Sequence, residues 1–403
     1  MKIFYVTAQF PFGKSESFII PEVEHLHHQH NLWIVPMNIK GGVILHDQLK
    51  KMTGLILAQP YFSRSVLESA LRMVLARPLH VVKCFAELFQ SPRHLPKNLF
   101  VFFKALWIAD QARRMDIDHL HAHWLSTSAT AAMIASRLTG IPWSFTAHRW
   151  DIEENNLIAL KSKHAIRGRF ISEAGRRLAV RQGASAATSQ VIHMGVPLQP
   201  KETTVVIAEE TLTMMRSLPG VRLLCPAALI ELKGHRFLIE ALAELQKTGL
   251  EISVAFAGDG PLKDTLQAQC AEQLAVGSYS FLGYISHDQL LALYQQHWVD
   301  MVVLPSLIEG ISVAVVEAMA HQMPVVVTRA GAMDELVDET VGWIVNTGDA
   351  EALKNALHFA VHHPDVRHAR AAQGQKKVFQ EYEIDQVMQE LIKIFQLQPK
   401  GQA

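Results

Sequence analysis

The feature that most constrains the fold is an alternation of short, mostly apolar runs with helix-like segments in the second half of the chain. The runs cover residues 222–228, 251–257, 278–283, 300–305 and 324–328. Each run precedes a segment with helical spacing, and the runs themselves are continuously apolar instead of alternating. Continuous runs are typical of parallel strands that are buried on both faces of a sheet. The pattern therefore predicts a doubly wound α/β domain.

The first half of the chain follows the same order of elements less regularly. Strand-like segments lie at 2–8, 32–37, 118–123 and 141–147, and helix-like segments lie at 17–29 and 126–139. Three prolines mark the stretch 196–220 as the linker. We therefore predict two Rossmann-like domains, residues 1–200 and 201–379. They would face each other across a cleft at the carboxyl ends of their strands, where ligands of such folds bind.

Composition narrows the class of protein. The chain has 38 Lys plus Arg and 38 Asp plus Glu, so its charge gives no reason to expect a nucleic-acid partner. Its 21 histidines predict a surface charge that changes at mildly acidic pH. The three cysteines have neither metal-ligand nor CxxC spacing, which favours reduced thiols in a cytoplasmic protein. No apolar run of about 18 residues is free of charge, so we expect a protein that is soluble or peripheral on the inner face of the cytoplasmic membrane.

Residues 60–115 interrupt the alternation. The segment is helix-like and rich in Phe, Leu and Val, and it carries nine Lys or Arg residues against three Asp or Glu residues. Cations among aromatic side chains suit an anionic membrane surface or an anionic acceptor. The alternative is a helical insertion that packs on the N-terminal sheet and exposes a solvated basic face. The sequence leaves both interpretations open.

Two acids stand in the otherwise apolar stretch LIEGISVAVVEAMA, residues 307–320. Glu309 follows a predicted strand, at the end of a parallel sheet where ligands bind, and Gly310 would let a ligand approach the backbone closely. A helix that begins near Ser312 would aim its N–H groups at the same place, which suits an anion. Glu317 lies deeper in that helix, so the two carboxylates would address different parts of one elongated ligand. The alternative is a solvated loop acid and a hydrogen-bonded core acid.

Other loops at strand ends add a cation and several glycines. Lys233 and Gly234 lie between the first strand of the second domain and the helix that follows it, where a cation would hold a phosphate. Glycines stand at further strand ends, at Gly258, Gly260, Gly283 and Gly331. Each glycine is an ordinary turn position when it is taken alone. The evidence for a ligand-binding function therefore comes from the order of these segments along the chain.

In this order the segments resemble the nucleotide-sugar domain of GT-B glycosyltransferases, in particular the large retaining family four. The family pattern is K-G, G-x-G-P, F-x-G, P-S-x-x-E-G-x7-E-A-M-A, P-V-V and G-x-x-E-L, and residues 304–337 follow its second half nearly throughout. FPFGKSESF, HLHAHWLSTS and IPWSFTAHRWDI are similar to first-domain segments of members that build bacterial polysaccharides. The resemblance extends to about residue 345, with gaps at 40–115 and 201–220. It implies that the last helices, about 380–403, pack back on the first domain.

The resemblance implies roles for matching residues on the donor side. Glu309 would contact the transferred sugar and stabilise positive charge at its anomeric carbon, and His148 would lie near the sugar and the phosphate. Lys233 would neutralise the diphosphate, and Glu317 would bind the ribose hydroxyls. The remaining donor contacts would come from backbone groups of Gly310, Ile311, Ser312, Gly258 and Gly283.

For the acceptor side, the resemblance implies the residues Glu16, Ser17, His123 and Asp151. The donor would be a UDP- or GDP-sugar, and the acceptor would be a saccharide or a lipid-linked molecule. The resemblance implies neither a metal nor another cofactor. It also implies retention of configuration by front-face substitution, with the leaving phosphate taking the acceptor proton.

One position departs from the family pattern. Family members usually carry an arginine five residues before the lysine, and Ala228 stands there in this chain. A diphosphate held by one cation would bind less tightly. Arg236 and Arg149 are candidates to replace the missing charge.

Other patterns are weaker interpretations of the sequence. His119, His121 and His123 would share one face of a strand, as zinc ligands can, but the resemblance implies no metal. GDGPLK lacks the third glycine of a dinucleotide-binding fingerprint, because Lys263 occupies that position. Two rival functions remain. One is a sugar-nucleotide epimerase or hydrolase on the same fold, and the other is a non-catalytic partner of an active transferase.

Overall fold

The computed structural model describes residues 1–12, 14–39, 53–198 and 206–397. These residues form two compact units. Unit 1 comprises Met1–Gly195 and the C-terminal segment that begins at Ile384, and unit 2 comprises Val196–Glu383. The corresponding bounds predicted from the sequence are residues 200 and 379.

Unit 1 is built on a parallel sheet. Its strands are β1 (Lys2–Thr7), β2 (Asn31–Pro36), β3 (His119–His123), β4 (Trp143–Ala147), β5 (Arg167–Phe170) and β6 (Ser189–Val191). Its helices are α1 (Ile20–Gln29), α2 (Arg64–Ala76), α3 (Pro78–Glu87), α4 (Leu95–Arg114), α5 (Thr127–Thr139), α6 (Arg149–Glu154), α7 (Ile158–His164), α8 (Glu173–Arg181) and, from the C-terminal segment, α17 (Ile384–Phe395). The strand order is β2-β1-β3-β4-β5-β6.

Helices cover both faces of this sheet, which explains why β1 has apolar side chains on both of its faces. Successive side chains of a strand point to opposite faces. Along β1, Ile3 and Tyr5 pack in the cluster that includes α1 and α17, and Phe4 and Val6 pack in the cluster that includes α4 and α5. The C-terminal helix therefore completes the core of the first unit.

Unit 2 has a second parallel sheet. Its strands are β7 (Val221–Pro226), β8 (Ile252–Ala257), β9 (Tyr279–Gly283), β10 (Met301–Leu304), β11 (Val325–Thr328) and β12 (Trp343–Val345). Its helices are α9 (Glu209–Arg216), α10 (His235–Lys247), α11 (Lys263–Gln273), α12 (His287–Gln295), α13 (Val313–Ala320), α14 (Met333–Leu336), α15 (Ala350–His362) and α16 (Pro364–Glu381). The strand order is β12-β11-β10-β7-β8-β9.

The strand order of each sheet reverses at one place. In unit 2 the chain moves outward from β7 through β8 to β9 and then returns to β10, on the other side of β7. In unit 1 the corresponding place lies between β1 and β3. Ligands of open α/β sheets bind beyond the carboxyl ends of the two strands at such a switch point. Functional side chains are therefore expected in the loops that follow β7 and β10 in unit 2, and β1 and β3 in unit 1.

Several histidines are buried, which differs from the expectation drawn from composition. His119, His121 and His123 of β3 are fully buried, and His148 and His235 are nearly so. Burial lowers the pKa of His119 to about 3 and the pKa of His235 to about 4. The prediction that the histidines set the surface charge is wrong for these buried side chains.

One cation of the basic segment also lies in the interior. Lys104 of α4 is fully buried, and its Nζ donates hydrogen bonds to the carbonyl oxygens of Pro36, Met37 and Gln59, each at 2.7 Å. Burial lowers the pKa of Lys104 to about 7. Lys104 therefore fixes α4 to the end of β2 and does not belong to a basic surface.

Candidate active site

Two loops at the switch point of unit 2 bring a lysine and a glutamate together. Lys233 ends a short 3₁₀ segment after β7, and Glu309 lies in the loop after β10. Because β7 and β10 are neighbours, both loops lie at the same edge of the sheet. Lys233 Nζ donates to Glu309 Oε2 at 2.5 Å, and Ser306 Oγ donates to the same oxygen at 3.1 Å. The predicted catalytic acid and phosphate-binding cation thus form one ion pair.

The close approach of these loops depends on a glycine. Gly234 has a φ of +65°, and a Cβ at this position would lie 2.1 Å from the carbonyl oxygen of Pro305. The backbone N–H of Leu307 also donates to the carbonyl oxygen of Leu232 at 2.8 Å. A larger residue at position 234 would strain the backbone and separate Lys233 from the loop that carries Glu309.

The helix that follows Glu309 begins without a side-chain cap. Ser312 is at the N-cap position of α13, and its side chain makes no capping hydrogen bond. An uncapped helix N-terminus attracts anions through its backbone N–H groups and its dipole. A Cβ at Gly310 would meet nothing within 4 Å, so the space beside the loop is open. The contact of Gly310, Ile311 and Ser312 with a phosphate stays a prediction.

Glu317 has a partner that the sequence analysis did not identify. Glu317 lies in the second turn of α13 and is buried, and its Oε1 is 2.6 Å from Nε2 of His287. His287 begins α12, and its side chain is 55% exposed. The position of His287 just after the apolar run 278–283 is the sequence signal that could have pointed to it. The pair places a carboxylate and an imidazole near the exposed edge of the sheet.

Gly258 comes directly after β8 and Gly283 is the last residue of β9, so both lie at the same edge of the sheet. A Cβ at Gly258 would lie 2.0 Å from the carbonyl oxygen of Ala227, so the loops after β7 and β8 pack backbone against backbone. Gly283 has a φ of +67° and open space where a side chain would stand. Gly258 is thus required by packing, and Gly283 is required by its backbone conformation.

The position that lacks the family arginine is also at this edge. Ala228 is exposed in the loop after β7. The guanidinium of Arg236 lies 3.7 Å from Glu231 and 4.5 Å from the ring centroid of Phe237. Arg149, in unit 1, is paired with Glu153 at 2.7 Å. Both arginines that were candidates to replace the missing charge therefore have other partners.

At the switch point of unit 1, a chain of buried hydrogen bonds runs from His148 through His123 and Tyr5 to Glu22 and Arg169. His148 Nε2 lies 2.9 Å from His123 Nε2, and His123 Nδ1 lies 2.5 Å from Tyr5 Oη. Tyr5 Oη donates to Glu22 Oε1 at 2.5 Å. Arg169 Nη1 donates to Glu22 Oε2 at 2.6 Å. The chain connects four strands or strand ends with α1.

Arg169 determines the charge state of this chain. Burial by itself would raise the pKa of Glu22, but the Arg169 guanidinium and the His123 ring, whose Nδ1 is 3.7 Å from Oε1 of Glu22, hold that pKa well below its usual range. Burial, together with the Glu22 carboxylate, raises the pKa of Tyr5 well above its usual value. Glu22 is therefore a carboxylate, and Tyr5 is a neutral phenol that donates its only proton to Glu22.

These charges determine the hydrogen bonds of Tyr5. Because Tyr5 donates to Glu22, its oxygen accepts a hydrogen bond from Nδ1–H of His123. Nε2 of His123 lies at hydrogen-bond distance from Nε2 of His148. Burial lowers the pKa of His148 well below its usual value, so this ring is neutral. The chain of hydrogen bonds therefore holds a neutral His148 at the carboxyl end of β4.

Aromatic side chains enclose His148. The ring centroids of Trp124 and Phe18 lie 4.3 Å and 5.4 Å from that of His148. Trp124 has a φ of +92°, and such a conformation costs a non-glycine residue on the order of 1–3 kcal/mol. Its backbone N–H donates to the carbonyl oxygen of Thr146 at 3.0 Å, which helps to hold it there. Phe18 and Trp124 are site residues that the sequence analysis did not single out.

Asp151 fixes the position of His148. It is buried, and its carboxylate oxygens accept hydrogen bonds from the backbone N–H groups of His148 at 2.7 Å and Leu125 at 2.5 Å. Burial raises the pKa of Asp151 to about 7, although both hydrogen bonds oppose that shift. Asp151 therefore joins the loops after β3 and β4.

Glu16 has a similar place in the loop after β1. It is buried, and Oε2 accepts from the backbone N–H of Gln9 at 2.8 Å. The indole N–H of Trp124 donates to Oε1. Ser17 belongs to the adjoining 3₁₀ segment Lys14–Ile19, and its side chain lies outside the described residues. Glu16 thus orients its neighbours, and its contact with an acceptor stays a prediction, as do those of Ser17, His123 and Asp151.

The same region contains a group of potential metal ligands. Ligand atoms of Glu22, His121 and His123 lie within 4.8 Å of one another. Ser144 and Thr146 lie at hydrogen-bond distance from the two ring nitrogens of His121, at 2.9 Å and 3.0 Å. Both carboxylate oxygens of Glu22 and both nitrogens of His123 also have partners in the chain described above. Because Arg169 adds a positive charge beside Glu22, this donor set does not suit a cation.

Two Rossmann-like units, each with a parallel sheet and a functional edge at its switch point, define the GT-B class of fold. The Anabaena protein HepE in complex with UDP has this fold, with a TM-score of 0.73 and 18% sequence identity over 98% of this chain and 100% of the HepE chain. HepE in complex with UDP-glucose gives a TM-score of 0.69. At this identity the likeness shows the fold alone.

Two family models match parts of the chain. Residues 220–377 match the model described as glycosyl transferases group 1, and residues 58–196 match the glycosyl transferase 4-like domain. The first match thus lies in unit 2, and the second covers much of unit 1. The matched ranges include Lys233, Glu309 and His148.

Two relatives have names that refer to polysaccharides. TuaC of Bacillus subtilis, named for teichuronic acid biosynthesis, is 29% identical over 267 residues, which are 62% of this chain and 64% of TuaC. The amylovoran biosynthesis glycosyltransferase AmsK of Erwinia amylovora is 32% identical over 144 residues, which are 34% of this chain and 35% of AmsK. The chain thus spans less than two thirds of the length of these relatives.

Proposed function

We propose that this protein is a retaining hexosyltransferase that moves a sugar from a UDP- or GDP-sugar to a saccharide or lipid-linked acceptor in the synthesis of a cell-surface polysaccharide. The observation that carries the proposal is the Lys233–Glu309 pair beside the uncapped N-terminus of α13, at the switch point of unit 2. The HepE complexes support a nucleotide-sugar donor, and the names of TuaC and AmsK support a polysaccharide pathway.

The donor would bind to unit 2 through its diphosphate and its ribose. The ammonium of Lys233 has three N–H donors, so it can hold Glu309 and a diphosphate oxygen together. The N-terminus of α13 would add backbone N–H groups to the same diphosphate. Glu317 would accept hydrogen bonds from the ribose hydroxyls, and His287 would fix the orientation of the Glu317 carboxylate.

The transfer would break the bond between the anomeric carbon and the diphosphate oxygen. The acceptor oxygen would form its new bond on the same face of the sugar, and its proton would pass to the departing diphosphate. Positive charge develops at the anomeric carbon and negative charge at the leaving group, so Glu309 and Lys233 would each stabilise one of them. His148 would lie near the transferred sugar and the phosphate. The scheme uses no metal and no further cofactor, because Lys233 and α13 supply the positive potential.

A specific observation favours one second candidate. Ala228 leaves the donor edge without the family arginine, and Arg236 and Arg149 both have other partners. A chain with weak diphosphate binding would suit a non-catalytic partner of an active transferase. This candidate keeps the fold and the binding edge but lacks turnover.

The test is the transfer rate of a Glu309→Gln variant. Transfer of labelled sugar from UDP- and GDP-hexoses to saccharide and lipid-linked acceptors is measured for the wild type, Glu309→Gln and Glu272→Gln. Loss of the charge opposite the anomeric carbon should lower kcat by about 100- to 1,000-fold and leave nucleotide binding near that of the wild type. Glu272 is exposed on α11 and serves as the matched control.

Each other outcome has a defined meaning. Unchanged turnover in Glu309→Gln would contradict the role of Glu309. Donor cleavage that does not depend on any acceptor would favour the hydrolase or epimerase. Nucleotide binding without turnover of any donor would favour the non-catalytic partner.

A further inference from the structure

The outer surface of α2, α3 and α4 in unit 1 is apolar. Eleven of the 21 large apolar side chains that are exposed among the described residues lie between residues 62 and 103. Monomeric soluble proteins rarely expose contiguous apolar patches of more than a few hundred Å², and larger ones mark interaction sites. We call the exposed apolar side chains of residues 62–103 the apolar face.

Helix α2 shows that this face is not a by-product of core packing. Its inner side buries Val66 and Met73 in the core of unit 1. Its outer side carries Leu67, Leu71 and Leu75 at successive turns, and the last of these is 74% exposed. A surface helix normally has one apolar stripe and one polar face. The second stripe therefore needs an explanation outside the fold of this unit.

Aromatic contacts make the face continuous from one helix to the next. Phe85 of α3 packs edge-on against the buried Phe102 of α4, with ring centroids 5.3 Å apart, and Phe102 packs in the same way against the exposed Phe103 at 6.3 Å. Phe62, just before α2, packs edge-on against Phe100 of α4 at 5.5 Å. At the start of α3, Leu79 is 81% exposed. The face is thus one surface shared by three helices.

Unbalanced positive charge accompanies the apolar face. The acids of residues 60–115 all make ion pairs with arginines: Glu68, Glu87 and Asp110. Arg77, Lys83 and Arg93 are exposed and make no ion pair with any described residue. Lys83 stands one helical turn after Leu79, on the same side of α3. Apolar and cationic side chains therefore share one surface.

We propose that the apolar face binds the surface of a lipid bilayer that contains anionic lipids. Leucine and phenylalanine side chains would enter the boundary between headgroups and acyl chains, and Arg77, Lys83 and Arg93 would meet lipid phosphates. None of the helices in the described part of the chain is long and apolar enough to cross a membrane, so the contact would be interfacial. A symmetric dimer through this face would bury the unpaired cations of both copies, which is costly and disfavours a second copy as the occupant.

The test is sedimentation of the whole protein with vesicles of phosphatidylcholine alone and of phosphatidylcholine with phosphatidylglycerol. A double variant Leu75→Glu/Leu79→Glu should lower the partition coefficient on the anionic vesicles by at least about tenfold, because charged groups replace inserted ones. A second variant, Lys83→Gln/Arg93→Gln, should lower it by about fivefold for each charge removed, and less on neutral vesicles. Matched controls are Val276→Glu and Lys376→Gln, at exposed positions of unit 2.

All four substituted positions of the test variants are exposed, and circular dichroism with thermal unfolding verifies that each variant is folded. Absence of vesicle binding by the wild type, or equal binding by the wild type and both variants, would overturn the proposal. Self-association of the wild type that the Leu75→Glu/Leu79→Glu variant abolishes, without vesicle binding, would assign the face to a second copy. Nucleotide titration reports on unit 2 alone, so failure here is distinct from failure of the proposed function.

Discussion

At the scale of single residues, the hydroxyl of Tyr5 joins two buried groups that depend on it. It donates to Glu22 and lies at hydrogen-bond distance from His123. Tyr5→Phe would leave both groups without that partner, and we expect the free energy of unfolding to fall by about 1–3 kcal/mol. Urea denaturation of the variant measures this change.

The matched control for this prediction is Tyr294→Phe. The hydroxyl of Tyr294 is also buried, but it has no hydrogen-bond partner among the described residues. Removal of this hydroxyl should leave the stability unchanged or raise it. Equal losses in the two variants would contradict the role given to Tyr5.

A second residue-scale prediction concerns Glu317. Because a carboxylate that binds the ribose hydroxyls forms charged hydrogen bonds, Glu317→Ala should raise the nucleotide Kd by roughly 10- to 100-fold. Calorimetric titration measures the Kd, and Glu272→Ala on α11 is the control for loss of an acid. An unchanged Kd in Glu317→Ala would show that this carboxylate serves only His287 and the core.

The sequence identified site residues that lie in contiguous motifs and missed those that depend on distant partners. Lys233 and Glu309 were placed by their positions at the ends of apolar runs, and the structure brings them to 2.5 Å. The pairing of Glu22 with Arg169 spans 147 positions, and no local pattern indicates it. The position of His287 after the run 278–283 is a local signal, but its pairing with Glu317, 30 positions away, has none.

At the scale of elements, β3 places an ionisable side chain in the core of unit 1. His119 lies between Ser144 and the ring of Phe395, and burial lowers its pKa to about 3. In the unfolded chain a histidine has a pKa of about 6.5. Between pH 6.5 and about 3 the unfolded state therefore binds a proton that the folded state does not. The stability contributed by neutral His119 is complete above pH 6.5 and is lost as the pH falls through this window.

The His119→Asn variant tests the predicted direction in which stability changes with pH. Each buried histidine adds up to about 1.4 kcal/mol per pH unit to the acid-side slope of stability. Asp151 acts in the opposite direction, because its pKa of about 7 lets the folded state bind a proton first as the pH falls. We expect the slope between pH 6.5 and 4.5, from denaturation at several pH values, to be shallower in His119→Asn. His28→Asn, at an exposed position of α1, is the matched control, and equal slopes in His119→Asn and the wild type would contradict the account.

Elements were predictable in proportion to the length and uniformity of their apolar runs. The strands β1, β8 and β10 stand out because nearly every side chain in them is apolar. β5 has the sequence RGRF, and its two arginines argue against a buried strand. The structure accommodates Arg169 because Glu22 neutralises it and two backbone carbonyl groups accept from it. β6 and β12 have three residues each, too few to show a period.

At the scale of the whole molecule, the chain forms two parallel sheets of the same class, and the C-terminal helix α17 completes the core of the first unit. The pattern of α17 shows which of its faces is apolar, but not which unit that face covers. That assignment came from the family resemblance, and in the structure Met388 and Leu391 pack with Ile3 and Tyr5. The basic segment is a second case in which sequence does not show the three-dimensional environment, because composition does not distinguish the buried Lys104 from the exposed Lys83.

The central claim is that unit 2 binds a nucleotide diphosphate at the edge that carries Lys233 and Glu309. Calorimetric titration of the whole protein with UDP, GDP and ADP, and then with their sugar conjugates, tests it most directly. We predict micromolar binding of one nucleotide, about −8 kcal/mol. In Lys233→Ala the affinity should fall at least about tenfold, because a charged hydrogen bond is lost. Lys376→Ala, at an exposed position, should bind as the wild type does. Absence of binding to any nucleotide, or equal affinity in Lys233→Ala, would contradict the account.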